Sequence, residues 1–167
     1  DDQSRAKFER TWGRPIPARR GWHLTEMFEA MAAGKLRGLY VIGENPAQSE
    51  ADSAHTRQTL ESLDFLVVQD IFLTETAYLA DVVLPASAWP EKAGTVTNTD
   101  RIVQMGRRAL DLPGEARQDL WITQQIARRL GLDWNYEGPE SGVAEVYEEM
   151  RGAMNSIGGI SWERLEA

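Results

Sequence analysis

The sequence predicts an α/β fold: an open, mostly parallel, Rossmann-like sheet flanked by helices (αβα layers), in one domain with an irregular N-terminal arm. Three observations carry this. The runs GLYVI (Gly38 to Ile42) and FLVV (Phe65 to Val68) are short, apolar and β-prone throughout, as strands buried on both faces of a parallel sheet are. A third run, DVVL (Asp81 to Leu84), follows them. Helix-compatible segments separate all three, and strand–helix–strand repeats close as right-handed parallel crossovers.

Taken in order, the stretch to about Gly21 is charged, carries Pro15 and Pro17 among arginines and shows no helical or strand period, so it reads as an ordered arm or linker. Leu24, Met27, Phe28 and Met31 then fall at i, i+3, i+4 and i+7, a one-sided helix that the Gly34 region can end. After the first strand a loop from Gly43 to Asp52 leads into a helix to about Leu63. After the second strand Gln69 to Leu73 read as a loop and Thr74 to Ala80 as a short helix. The region from Ala86 to about Leu112 is irregular, with an extended piece near Ile102 to Met105. Two helices follow, one with Ile122, Ile126 and Leu130 on a face and ending at Gly131, the other with Val143, Val146, Tyr147 and Met150 on its buried face. Glu140, Glu145, Glu148 and Glu149 are expected on the solvated side of the latter. The expected organisation is an arm over residues 1–21, a Rossmann-like domain over 22–135 and a helical extension over 136–167.

Composition narrows the chemistry. The 167 residues suffice for one sizeable core. Acidic residues outnumber basic ones 26 to 18, for a formal charge of -8, which argues against nucleic-acid binding because affinity for phosphate backbones rests on clustered Lys and Arg. There is no cysteine, which excludes disulfides, thiolate metal sites and cysteine nucleophiles within these residues. His23 and His55 have no companions in metal-ligand spacing and read as caps or packed residues; the six Trp read as core and interface anchors. No apolar run approaches the roughly 20 residues that span a bilayer. A cytoplasmic location is expected, with a periplasmic one left open because the chain does not begin with Met.

In an open parallel sheet, ligands bind beyond the carboxyl ends of the strands. Gly43, Glu44, Asn45, Pro46 and Ser49 follow the first strand, Gln69 and Asp70 the second, and Pro85, Ala86 and Ser87 the third, so all should lie along one edge. Glycine admits close approach of a ligand, amides suit a base edge or ribose, and carboxylates accept from a guanine amine. A nucleotide fits that inventory, although Asn-Pro is also a common turn and Gln-Asp can cap a helix. The loop GENPAQSEAD has neither the three-glycine fingerprint of nicotinamide-binding folds nor a phosphate loop.

The run from Gly38 to Gln104 closely resembles the central part of the catalytic subunit of molybdopterin oxidoreductases. Its landmarks are the GENP loop, VVQDIFLTETA, ADVVLPA, and Glu91 with GTVTN and DR; the likeness continues through ARQDLW (Ala116 to Trp121). The TNTDR and DIFLTETA forms look most like formate dehydrogenases. The resemblance implies an internal fragment of an alpha subunit whose parent binds bis(molybdopterin guanine dinucleotide) around molybdenum or tungsten and oxidises formate to carbon dioxide. Electrons would pass through the pterin and iron–sulfur clusters elsewhere in the parent, with NAD the expected acceptor. Carried over by position, Asn45, Ser49, Gln69, the Ala86 and Ser87 backbone and Asp119 are cofactor contacts, Asp119 meeting a guanine or pterin amine. Glu75, Asp81, Glu91 and Arg101 also match, with a structural role as good an account.

The same resemblance places the cluster cysteines, the metal ligand and the His and Arg beside it outside this chain, so the isolated chain is expected to be inactive and to retain no cofactor. Its implied partners are the remaining domains of the subunit and iron–sulfur or flavin subunits. Two alternatives stand: a scaffold relative such as the large subunit of NADH dehydrogenase, and a free-standing guanine nucleotide-binding module.

Overall fold

A computed structural model of the chain describes residues 2–138 and 141–167. Its helices are α1 (Asp2–Trp12), α2 (Leu24–Ala32), α3 (Pro46–Ser49), α4 (Ser53–Glu61), α5 (Asp119–Arg129), α6 (Ser141–Ala153) and α7 (Trp162–Glu166). The strands are β1 (Gly38–Ile42), β2 (Phe65–Asp70), β3 (Val82–Pro85), β4 (Gly94–Thr97) and β5 (Val103–Gly106). Backbone contacts gather the chain into two compact units, one of residues 21–88 with 112–122, the other of residues 2–20, 89–111 and 123–167.

The first unit holds the parallel sheet, in order β1-β2-β3, with Val41 opposite Val68 and Val68 opposite Val83. Successive side chains alternate between faces. Val41, Leu66 and Val68 therefore share one face, and they form the core with Met31, Ala47, Leu60 and Ala77. Met31 comes from the apolar stripe of α2 and Leu60 from α4, so both helices cover this face. Leu60, Leu66 and Val68 are almost wholly buried, and each contributes about 1.5–3 kcal/mol by leaving water. The opposite face carries Tyr40, Val67 and Gln69 between two open positions, Ile42 at 48% and Phe65 at 50% exposure.

Double-sided burial, expected for the first two strands, is thus confined to β2. The edge strands are open, and Val82 and Val83 of β3 are both exposed. A parallel bridge from Ala86 to Arg117, with the Arg117 amide donating to the Pro85 carbonyl at 3.0 Å, adds residues near 117 beyond β3. That bridge brings the start of α5 to the same sheet edge as the ends of the strands.

Several segments differ from the sequence expectation. The N-terminal stretch read as an arm without period begins with α1, a polar helix with no buried residue. It is held by local pairs, Arg5 with Asp2 and Glu9, and Phe8 against Trp12, which no apolar stripe announces. β2 runs on through Gln69 and Asp70, which were expected in the following loop. The segment after it forms only a 3₁₀ turn, Ala77–Leu79. The irregular region contains a hairpin, β4 antiparallel to β5, turned by Arg101 at φ 64°. Leu130 is exposed at the end of α5, and Trp12, Trp22, Trp89 and Trp121 are exposed rather than core anchors.

In the second unit, Gln124 of α5 is buried and clasps Tyr136, accepting from its amide at 2.6 Å and donating to its carbonyl at 3.2 Å. A Cβ at Gly142 would lie 2.9 Å from the Tyr136 backbone, so the second residue of α6 is the one that lets that segment pass close by. Glu148, expected to be a solvated charge, instead accepts from Arg151 and from the Trp162 amide. Those bonds hold its carboxyl below the usual glutamate range. Glu140 lies outside the described residues.

Candidate functional site

The sites expected at the strand ends all fall in the first unit, and they form two polar clusters. The first stands beyond β1. Gly43 takes φ 64°, a left-handed conformation that costs other residues about 1–2 kcal/mol, and donates its amide to the Gln69 carbonyl at 2.9 Å. Asn45 then engages both ends of its amide. Its Oδ1 accepts from the Thr76 amide at 3.1 Å and the Thr76 hydroxyl at 2.8 Å. Its Nδ2 donates to Glu75 at 2.7 Å and to Gln48 at 3.0 Å.

Thr76 has no exposed surface and also accepts from the Ala47 amide at 3.0 Å. Asn45 therefore ties the β1 loop to the segment after β2. The Asn45 bond leads the influences that hold the Glu75 carboxyl below its ordinary pKa. Ser49 is exposed at the end of α3. It lines a groove of about 400 Å³ with Met27, Phe28, Leu39, Tyr40 and Glu44, apolar along its wall and polar where it meets the crest.

The second cluster lies across β2 and β3. Gln69 is wholly buried. Its Oε1 accepts from the Tyr40 hydroxyl, and its Nε2 donates to Asp119 Oδ1 at 2.7 Å. Ser87, also buried, directs its hydroxyl to Asp119 Oδ2 at 3.4 Å. Asp119 itself is half-buried and is the first residue of α5, where the helix's partial positive end favours a carboxylate. Burial, and then the Asp119 charge, push the Tyr40 phenol above its ordinary pKa.

Asp70 is half-buried; its side chain accepts from the Phe72 amide at 3.1 Å in a local turn. The Ala86 amide donates to the Asp70 carbonyl at 3.0 Å. The sheet thus brings Gln69, Ser87 and Asp119 together, while Gly43, Asn45 and Ser49 stand in the other cluster. Tyr40 was missed: inside an apolar strand run its hydroxyl gives no pattern. Of the residues left aside, Glu75 belongs to the Asn45 cluster, and Asp81 accepts from the Leu66 amide at 2.7 Å, a tie inside the sheet.

His23 stands at the start of α2, its amide donating to Glu26 at 2.7 Å, and the His55 amide is capped by Asp52 at 3.0 Å. Among the described residues, no three of His, Asp and Glu gather as a metal-binding group, and no helix is long and apolar enough to cross a membrane.

The first unit is thus a parallel sheet with amide, hydroxyl and carboxylate groups at its carboxyl edge. Comparison with known proteins identifies the family. The profile of the Molybdopterin oxidoreductase family matches residues 15–129, and the chain belongs to that family. It is 45% identical over 162 residues to the F420-dependent formate dehydrogenase subunit alpha of Methanocaldococcus jannaschii, covering 95% of this chain and 23% of that protein. It is 46% identical over 136 residues to the F420-dependent formate dehydrogenase 2 subunit alpha of Methanococcus maripaludis, covering 80% of this chain and 20% of that protein. Among solved structures, the acetylene hydratase of Pelobacter acetylenicus superposes with a TM-score of 0.64 at 25% identity, over 96% of this chain and 22% of that one. The chain spans only 16–23% of the length of the curated relatives it matches.

Proposed function

We propose that this chain is the segment of a formate dehydrogenase alpha subunit that holds a guanine end of its molybdopterin guanine dinucleotide. The single observation that carries this is Asp119, a half-buried carboxylate at the carboxyl edge of the sheet, oriented by Gln69 and Ser87. The donor set fits the group: guanine presents N–H donors on one edge, and a carboxylate accepts them. Ser87, Ala86, Gly43 and Ser49 would form the surrounding wall. Gln69, Asn45 and Asp70, whose side chains are engaged within the protein, would act behind it.

When bound, the cofactor supplies the redox chemistry, formate to carbon dioxide with two electrons passed on. The chain's own residues bind and orient: Asp119 fixes the base, and the Asn45 tie keeps the β1 loop beside it. In this reading residues 22–135 are the cofactor-binding domain and 136–167 a helical extension. The isolated chain would be inactive. Two dinucleotides on molybdenum or tungsten, iron–sulfur clusters and electron-transfer subunits belong to the longer protein. The sequence expectation of NAD as acceptor stands beside relatives whose names specify F420.

One observation favours the scaffold alternative. Asn45 and Gln69 both have structural partners of their own, so a scaffold accounts for them without a cofactor. The discrimination therefore falls on Asp119. In the full-length subunit Asp119→Ala should lower guanine nucleotide and molybdenum or tungsten content together, by more than about ten-fold, the worth of a hydrogen bond to a charged group. Unchanged content would refute the assignment.

A further inference from the structure

Gln69 sits where an apolar residue would do for packing. It is in the central strand, between Ile42 and Leu84 in register, and has no exposed surface. A buried amide is tolerated only when its donors and acceptors are matched. Here they are matched in a directed way, the oxygen end taking the Tyr40 proton and the nitrogen end giving to Asp119. The reverse orientation would turn the amide oxygen toward the Asp119 carboxylate, two acceptors facing each other.

We propose that Tyr40 is a positioning residue for Asp119: through Gln69 it fixes the carboxylate in the orientation that selects a purine carrying a 2-amine, as guanine does. This rests on the guanine-binding reading of Asp119. Tyr40 lies opposite Val67, and alternation puts it on the same sheet face as Gln69, two residues further along β2. Phenylalanine would fill the same place with the same ring, so the hydroxyl's contribution is its bond to Gln69. The raised phenol pKa keeps that proton in place well above neutral pH. Without it the Gln69 oxygen is a buried acceptor with no donor, and the amide is free to turn. Asp119 then loses the shorter of the two bonds it accepts from Gln69 and Ser87.

The test is discrimination between two ligands that differ by one amine. The apo full-length subunit is titrated calorimetrically with GMP and with IMP, which lacks the amine. The unaltered subunit should prefer GMP by about ten-fold or more, and Asp119→Ala should abolish the preference. Tyr40→Phe should reduce it to within about two-fold by weakening GMP while leaving IMP nearly unchanged. On the Asp119→Ala background Tyr40→Phe should have no further effect, since a residue acting only through another adds nothing once that other is gone. Gln69→Glu, which sets a second carboxylate against Asp119, should collapse the ratio as well. It gives an independent reading if the tyrosine variant does not fold.

A preference kept by Tyr40→Phe or Gln69→Glu, alongside its loss in Asp119→Ala, would overturn the relay and leave the guanine site standing. No preference in the unaltered subunit, or one that survives Asp119→Ala, would overturn the site reading itself.

Discussion

The two polar clusters at the sheet edge are built from similar residues and do different work. Around Asn45, the side-chain amide is spent on the protein: Oδ1 accepts twice from Thr76 and Nδ2 donates to Glu75 and Gln48. Around Asp119 the bonds run one way, with neutral donors from Gln69 and Ser87 converging on a carboxylate that keeps part of its surface in solvent. The first cluster is a latch between two loops; the second is the one we propose faces a ligand. Position after a strand does not distinguish them. What does is the group at the centre, a neutral amide in one and a carboxylate at a helix start in the other.

Four experiments break or sharpen that contrast. The largest effect is expected from Asp119→Ala: cofactor content of the full-length subunit should fall more than about ten-fold while its thermal midpoint changes little. A matching fall in stability would make Asp119 a latch like Asn45. Asn45→Ala should show the opposite balance, losing about 2 kcal/mol in denaturant unfolding because the buried Thr76 groups lose their partner, with a smaller loss of cofactor. Gly43→Ala should cost about 1 kcal/mol through its positive φ, read as a lower unfolding midpoint; no change would mean that the loop relaxes without strain.

The smallest effect concerns pH. Glu75 has a depressed pKa in the folded chain, so its contribution is present above the ordinary glutamate value and is lost as the pH falls through the depressed one. Glu75→Gln should therefore lose less stability than the parent sequence across the acid range. Parallel pH curves would show that the Asn45–Glu75 bond carries no stability.

Legibility in the sequence followed how local the cause was. β1 was readable to its bounds because an apolar run stands between turn signals, and α2 because its apolar stripe reaches the core at Met31. Gln69 and Asp70 were misplaced into a loop because polarity reads as exposure, whereas Gln69 is buried by pairing that only the fold supplies. The β4 and β5 hairpin was half seen, its four-residue GTVT strand too short to announce itself. Burial of both sheet faces was over-predicted, since apolar composition does not say which strand stands at an edge. At the site, Asp119 came from a motif match and Ser87 from its place after a strand. Tyr40 had no signal, because a hydroxyl acting through a second side chain leaves no spacing to read.

The most direct test of the central claim is to capture the native protein from its source cells with an antibody to this domain and measure its chain length, molybdenum, tungsten and guanine nucleotide. The account predicts a chain several times longer than 167 residues that carries stoichiometric molybdenum or tungsten and releases guanine nucleotide. A long chain with iron but neither metal and no guanine nucleotide would contradict it in favour of a scaffold relative. A native chain of only this length would contradict it in favour of a free-standing binding module.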